Sequence, residues 1–337
     1  MSHAVQVWIP EIAQRARFDD ERPWLSALKL KEQALWDNVR TLGTQTRHHL
    51  SEQATYIQSD VLRWLAELPA NSIHAVVTDP PYGMIEYDVK NHAKLRKGRG
   101  GVWRIPPSFD GAKRKPLPRF TVLSKEEILN LHGFFSSVAY GLLKALVPGG
   151  HVFIASNPLL STTTFHALIE SGFEKRGEII RLVQTLRGGD RPKGAEEEFP
   201  DVTVMPRSCW EPWGIFRKPF DCTVAENLRE WGTGGLQRLG DEEPFKDVIP
   251  CSPTRSPERD FAPHPSLKPQ RFLRKLVRAS LPLGVGIIYD PFAGSGSTLA
   301  AADAVGCHCL GTDSDHEYFA MAKTAFPHLS SMEVKQR

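Results

Sequence analysis

No stretch of this chain approaches the roughly eighteen consecutive apolar residues of a membrane span. Its opening, MSHAVQVWIPEIAQRARFDD, has no basic segment leading into an apolar one with a small-residue cleavage site. No membrane association is therefore expected, and the expected location is the cytoplasm. Cysteine is sparse: five (Cys209, Cys222, Cys251, Cys307 and Cys309) are scattered over 337 residues without CxxC spacing. That argues against a disulfide framework or a structural zinc site, and no metal is expected. A repeat with a period of about 20 to 50 residues is also missing, which sets aside solenoids and propellers. Nor is there an excess of one charge sign, since 42 basic residues stand against 39 acidic ones for a formal charge of +3. The sum alone points to no nucleic-acid partner.

The distribution of charge is more informative than the sum. Ten Lys or Arg (Lys90, Lys94, Arg96, Lys97, Arg99, Arg104, Lys113, Arg114, Lys115 and Arg119) and one acid, Asp110, lie between positions 90 and 119. This insertion is strongly basic, and the rest of the chain is net negative.

With 41% hydrophobic residues the chain can bury a large core. From Ala54 the pattern reads strand (TYIQ), helix (VLRWLAEL), strand (IHAVVT), the basic insertion, a helix from about Lys125 to Leu146, and strand (HVFIAS). That βαβαβ order predicts an α/β fold with a doubly wound, Rossmann-like parallel sheet and helices on both faces. A helix over Ser161 to Ser171, two strands (EIIRLVQTL and EPWGIFRK) and a loop-rich stretch from Phe220 to Pro263 follow. The chain then closes with helix Gln270 to Ser280, strand VGIIYD, helix Ser297 to Val305, strand HCLGTD and helix Glu317 to Phe326. The expected division is an N-terminal helical extension (1–53), a first half of the α/β domain (54–219) carrying the basic insertion (86–122), a connecting or recognition region (220–263), and a second half (264–337). Trp24, Leu28, Leu35 and Val39 have helical spacing without attached chemistry, which suits a packing or dimer helix.

Two segments carry chemistry, each at the carboxyl end of an expected parallel strand, where doubly wound sheets bind ligands. The second of them, Asp290-Pro291-Phe292-Ala293-Gly294-Ser295-Gly296-Ser297-Thr298, makes a glycine turn into a helix where backbone can approach a ligand closely. The next strand ends at Asp313, placed to accept hydrogen bonds from a ribose. Leu299 stands where a dinucleotide fingerprint has its third Gly or Ala, so a pyrophosphate site is not indicated.

The first segment, Asp79-Pro80-Pro81-Tyr82, is a stiff extended turn. The Asp79 carboxylate and the Pro80 carbonyl can accept both hydrogens of an exocyclic amine, and Tyr82 offers a face for a base. An aromatic amine is a poor nucleophile because its lone pair is delocalised into the ring. Two acceptors that draw its N–H bonds out of the ring plane expose that pair, which is transition-state stabilisation by preorganised dipoles.

TDPPYG at positions 78–83, HPSLKP at 264–269 and DPFAGSGST at 290–298, in that order, closely resemble the amino-group DNA methyltransferases of the β class, over roughly positions 54–326. The resemblance implies S-adenosyl-L-methionine as cofactor and double-stranded DNA as substrate, with the target base flipped out. It implies that Phe292, Gly294, Ser295 and Gly296 cradle the cofactor, Asp313 holds its ribose, Asp60 contacts its adenine, and Thr298 with Lys268 lies near its methionine carboxylate. Asp79, His264, Ser266, Asp290, Pro291, Ala293, Ser297 and Ser314 join the cofactor set, although His264 reads equally well as structural. Lys94, Arg96, Lys97, Arg99, Arg104, Lys113, Arg114, Lys115 and Arg119 acquire a role as phosphate contacts, with Trp103 as a stacking or wedge residue. Trp210-Glu211-Pro212 falls where the family's hairpin often carries His-Glu.

An Asp at the first catalytic position accompanies adenine-N6 more often than cytosine-N4 in this family, so adenine is the expected target and cytosine the alternative. Two other classes compete: a binding protein that has lost turnover, and a methyltransferase acting on RNA or protein. A homodimer and a companion restriction endonuclease are left open.

Overall fold

The computed structural model describes residues 22–83, 101–102, 117–118, 123–183, 191–206, 208–240, 243–254, 256–263 and 267–334. Eleven strands are present among these residues, nine of them in one sheet. They are β1 (Arg47–His49), β2 (Ala54–Gln58), β3 (Ile73–Thr78), β4 (Gly101–Val102), β5 (Leu117–Pro118), β6 (Leu146–Ala155), β7 (Glu174–Leu182), β8 (Trp210–Arg217), β9 (Val248–Pro250), β10 (Ile287–Asp290) and β11 (His308–Asp313). The sheet order is β1-β2-β11-β10-β3-β6-β8-β7-β9, and β4 pairs only with β5, inside the basic insertion. The helices among the described residues are α1 (Pro23–Val39), α2 (Val61–Glu67), α3 (Lys125–Ala145), α4 (Ser161–Glu170), α5 (Val224–Trp231), α6 (Ser256–Phe261), α7 (Gln270–Ser280), α8 (Ser297–Asp303) and α9 (His316–Ser331). Among the described residues no helix is long and apolar enough to cross a membrane.

The five central strands, β2, β11, β10, β3 and β6, are parallel, as the βαβ alternation predicts. Their residues alternate between two cores because successive side chains point to opposite faces. Ala75, Val77, Phe153 and Ile288 pack with α7, α8 and α9 on one side. Ile73, Val76, Val152, Ile154, Ile287 and Tyr289 pack on the other side with Trp64 of α2, Phe135 and Leu142 of α3, and Phe165 of α4.

The sheet departs from the all-parallel expectation at both margins. β8 runs antiparallel to β6 and to β7, so EIIRLVQTL and EPWGIFRK form a hairpin-type pair, and β1 pairs antiparallel with β2. β1, β9, α5 and α6 arise from stretches with no clear periodicity. α5 is nonetheless defined locally, by a reciprocal capping box between Thr223 and Glu226 and by Gly232 in the left-handed region at its end. α9 continues through Pro327 to Ser331, beyond the expected end at Phe326. Arg274 of α7 donates to the Leu329 and Ser330 carbonyls at 2.9 and 3.0 Å, giving that last turn partners it lacks within the helix.

Helix α1 is a packing element. Trp36 and Val39 of α1 are buried in the core with α2 and α3, and the Trp36 indole donates to the Glu52 carbonyl at 3.1 Å while its ring stacks on His308. Leu25 and Leu28 form a smaller cluster with Val285.

One close approach sets the position of the glycine turn. A Cβ on Gly311 of β11 would lie 2.5 Å from Leu299 Cδ1 and 2.9 Å from Ala293 Cβ, and both neighbours are fully or nearly fully buried. Leu299 therefore fits over the strand because the small residue is on β11. In a dinucleotide fingerprint the helix supplies the small residue for this contact. Gly311→Ala is expected to overpack this contact and cost about 1–3 kcal/mol. Chemical denaturation measures the loss, and stability equal to the parent would show that the approach can relax freely.

Candidate active site

β3 and β10 are neighbours in the sheet, so the turns that follow them lie side by side. Thr78, the last residue of β3, donates its hydroxyl to Asp290 Oδ1 at 2.7 Å, joining the two turns directly. Asp290 is buried, and its Oδ1 also accepts the Phe292 backbone N–H at 3.1 Å. Gly294 and Gly296 have φ of +50° and +79°, a region glycine adopts without strain, and Gly296 opens α8. The loop is tied down on its far side as well. Asp313 Oδ2 accepts from the Gly294 N–H at 3.0 Å, and Tyr56 of β2 donates its hydroxyl to the Gly294 carbonyl at 2.6 Å.

A cleft opens here, lined by Asp79, Lys268, Asp290, Phe292, Ala293, Gly294, Ser295, Ser297 and Thr298 among others. Both chemistry-bearing segments and two residues of the HPSLKP segment, Leu267 and Lys268, thus meet in one place. Asp313 ends the neighbouring strand β11. Asp60, at the end of β2, is exposed and caps α2 by accepting from the Leu62 and Arg63 N–H groups, each at 3.0 Å. Ser314 is exposed beside Asp313, and Pro291 follows Asp290 in the same turn, its carbonyl accepting from the Thr312 hydroxyl at 3.2 Å. His264 and Ser266 lie outside the described residues, as do the side chains of all ten expected nucleic-acid contacts from Lys94 to Arg119.

Asp79 is the centre of the polar contacts. Its Oδ2 is 2.7 Å from Lys268 Nζ, and its Oδ1 accepts the Tyr82 hydroxyl at 2.5 Å. Pro80 is buried and Pro81 exposed, which anchors one end of the stiff turn and leaves the other open. Lys268 also donates to the Tyr82 hydroxyl at 3.3 Å and lies 3.4 Å from Glu211 Oε2, while Glu211 in turn lies 3.3 Å from Arg181. In the sequence, Glu211 is visible only as part of a hairpin match, and Arg181 and Tyr56 do not stand out. A charged residue at a core position of the apolar run EIIRLVQTL is the available signal for Arg181.

Burial raises the Asp79 carboxyl above its ordinary range, and Lys268 offsets this only in part because Glu211 adds a like charge. Glu211 is subject to the same burial, but Lys268 and Arg181 together outweigh it and hold its carboxyl below the usual range. Lys268 is likewise desolvated, yet its two carboxylate neighbours raise it. Tyr82 is pushed well up, first by burial and then by Asp79 and Glu211. The stable arrangement is an ionised Lys268 between two acids, of which Asp79 takes a proton more readily.

The DNA methylase family profile matches residues 211–324. The type II methyltransferase M2.DpnII of Streptococcus pneumoniae is 35% identical over 268 residues, covering 79% of this chain and 87% of that protein. The chain belongs to the amino-group DNA methyltransferases. The type II methyltransferase M.HindIII of Haemophilus influenzae is 25% identical over 288 residues, 78% of this chain and 92% of its own. Among solved structures, a DNA modification methylase of Thermus thermophilus complexed with S-adenosyl-L-methionine shares the fold. It has a TM-score of 0.53 at 20% identity, over 84% of this chain and 96% of that one. The cytosine-N4-specific PvuII DNA methyltransferase also has a TM-score of 0.53, at 16% identity, over 85% and 90% of the two chains.

The cofactor of this methyltransferase family is S-adenosylmethionine, and the cleft suits it. The left-handed glycines give a backbone cradle without side chains, Phe292 supplies an aromatic wall, and Asp313 presents a carboxylate at the end of the adjacent strand.

The Asp290 carboxyl is pushed up to about 6 by burial, against hydrogen bonds from Thr298, Thr78 and the Phe292 N–H that favour the anion. A raised carboxyl favours the folded state while it is protonated. Its contribution is full below about pH 4 and is lost as pH rises through about 6. Asp290→Asn should therefore gain stability relative to the parent between pH 5 and pH 8, by about 1–2 kcal/mol on the linkage relation. Paired denaturation curves at the two pH values measure this, and a gain that does not depend on pH would contradict the assignment.

Proposed function

We propose that this methyltransferase modifies the exocyclic N6 of adenine in double-stranded DNA. The observation that supports the reading is a buried carboxylate, Asp79, lining the same cleft as the Gly294–Gly296 turn. Bound S-adenosylmethionine supplies a methyl group on a positively charged sulfur. In this reading Phe292, Gly294, Ser295 and Gly296 hold the cofactor, with Asp313 at its ribose, Asp60 toward its adenine, and Lys268 and Thr298 on the methionine side.

Asp79 and the Pro80 carbonyl receive the two amine hydrogens, and Tyr82 stacks on the base. The Tyr82 hydroxyl donates to Asp79 Oδ1, so the target amine competes with it for that oxygen. A base inside a duplex cannot reach such a pocket, so the nucleotide is flipped out. The basic residues from Lys94 to Arg119, with Trp103, are proposed to hold the phosphates around it. Such contacts make binding salt dependent without selecting sequence. Selection is assigned to the 220–263 region and the neighbouring loops, and a companion restriction endonuclease would follow from a type II role.

Cytosine-N4 is the alternative, because a carboxylate and a carbonyl can receive either exocyclic amine and the Asp79 preference is one of family pattern. Incubating unmodified DNA with the protein and S-adenosylmethionine, then analysing nucleosides by mass spectrometry, decides between them. N6-methyladenine is expected, and N4-methylcytosine alone would overturn the adenine reading. Asp79→Ala should abolish transfer while cofactor affinity stays close to the parent's by calorimetry. Near-parental rates in that variant would remove Asp79 from the mechanism. Tyr82→Ala should weaken binding of DNA with an extrahelical target base by about 1–3 kcal/mol, the scale of base stacking on an aromatic ring.

A further inference from the structure

Four charged side chains of alternating sign run away from the cleft: Asp79, Lys268, Glu211 and Arg181. The successive N···O distances are 2.7, 3.4 and 3.3 Å, and the side chains are only 14%, 8%, 14% and 5% exposed. The far end of the row is built by the β7–β8 pairing, in which Arg181 and Glu211 stand directly opposite each other. Glu211 cannot drift toward Lys268. Its Oε1 accepts the Trp213 indole N–H at 2.7 Å from a fully buried ring, and its Oε2 faces Arg181. Arg181 is fixed in turn by the Ser252 carbonyl at 3.3 Å and by the face of Phe272.

An ammonium paired with Asp79 alone would orient the carboxylate but also neutralise the charge that has to draw on the amine. A second carboxylate on the other side of the ammonium adds a potential of opposite sign that cancels part of the ammonium's at Asp79. We infer that Glu211 is a positioning residue for methyl transfer: it holds Lys268 between two carboxylates, so that the ammonium aims Asp79 without quenching it. The inference rests on the reading of Asp79 as the amine acceptor. Among the described residues, the titratable groups facing Asp79 are Lys268 and Tyr82 in contact, Glu211 behind Lys268, and Asp290 across the β3–β10 boundary. Arg181 and Cys251 stand behind Glu211 and Tyr82.

The test is the pH profile of single-turnover methyl transfer to DNA for the parent, Glu211→Gln, and the double variant Arg181→Gln/Glu211→Gln. In Glu211→Gln, Lys268 belongs wholly to Asp79 and keeps protons off it, so the acid limb should move to lower pH. The plateau rate should fall roughly ten- to a hundredfold, as for a misplaced reacting group. Affinity for S-adenosylmethionine should stay within about twofold of the parent.

A purely structural Glu211 would lower stability and active fraction at every pH and leave the limb in place. The single variant leaves Arg181 buried without a carboxylate, which destabilises the fold. The double variant removes one charge of each sign, keeps the row neutral, and should show the same displaced limb. Acid limbs that coincide with the parent's in the folded variants overturn the inference while leaving the Asp79 reading intact. A parent that transfers no methyl to DNA instead overturns the Asp79 reading, and this inference with it.

Discussion

The site depends on one pairing, that of β3 with β10. These strands are separated by roughly two hundred residues of chain but hydrogen-bond in parallel register, Ala75 to Ile288 and Val76 to Tyr289, so their carboxyl ends coincide. From β3 the sheet continues outward to β6, and from β10 it continues the other way to β11, so the crevice opens where the winding reverses. The Thr78–Asp290 hydrogen bond then holds the acidic turn and the glycine turn together. Without that adjacency, a stiff Asp-Pro-Pro-Tyr turn and a flexible Gly-Ser-Gly turn are two unrelated loops.

A second constraint is charge neutrality in a dry place. Taking a carboxylate out of water is costly unless it is paired and hydrogen-bonded. Asp79 is largely withdrawn from water, and the fold balances its charge with a cation drawn from the end of the 264–269 segment and a cross-strand pair drawn from β7 and β8. The antiparallel margin of the sheet, remote in sequence from the Asp-Pro-Pro-Tyr turn, thus enters the electrostatics of Asp79. Asp290 is treated differently. Among the described residues it has no cation partner, and it is supplied with hydroxyl and backbone N–H donors, while burial keeps its proton affinity high.

Much of the fold was legible because the central strands are short apolar runs between strong punctuators. IHAVVT ends at Asp-Pro, and HVFIAS and IIYD follow glycines, so element type and order could be read with little competition. The margins were not legible. Arg47–His49 and Val248–Pro250 are three-residue strands whose existence depends on an available edge, and no local pattern specifies an edge. α6 is a six-residue helix in a stretch read as loop, and α9 ran past the expected stop because α7 supplies donors to its last carbonyls.

Local sequence by itself determined the turn geometries, a proline pair that stiffens the chain after Asp79 and glycines that adopt positive φ after Asp290, and Leu299 ruled out a dinucleotide fingerprint. These are properties of a few consecutive residues and their allowed dihedrals. Only the tertiary structure decided that Gly311 is the small residue beneath Leu299, that Tyr56 and Asp313 brace the glycine turn, and that Arg181 and Glu211 stand behind Lys268. Those contacts join residues from different strands of the sheet, and which strands become neighbours is set by burying both faces of the whole sheet at once.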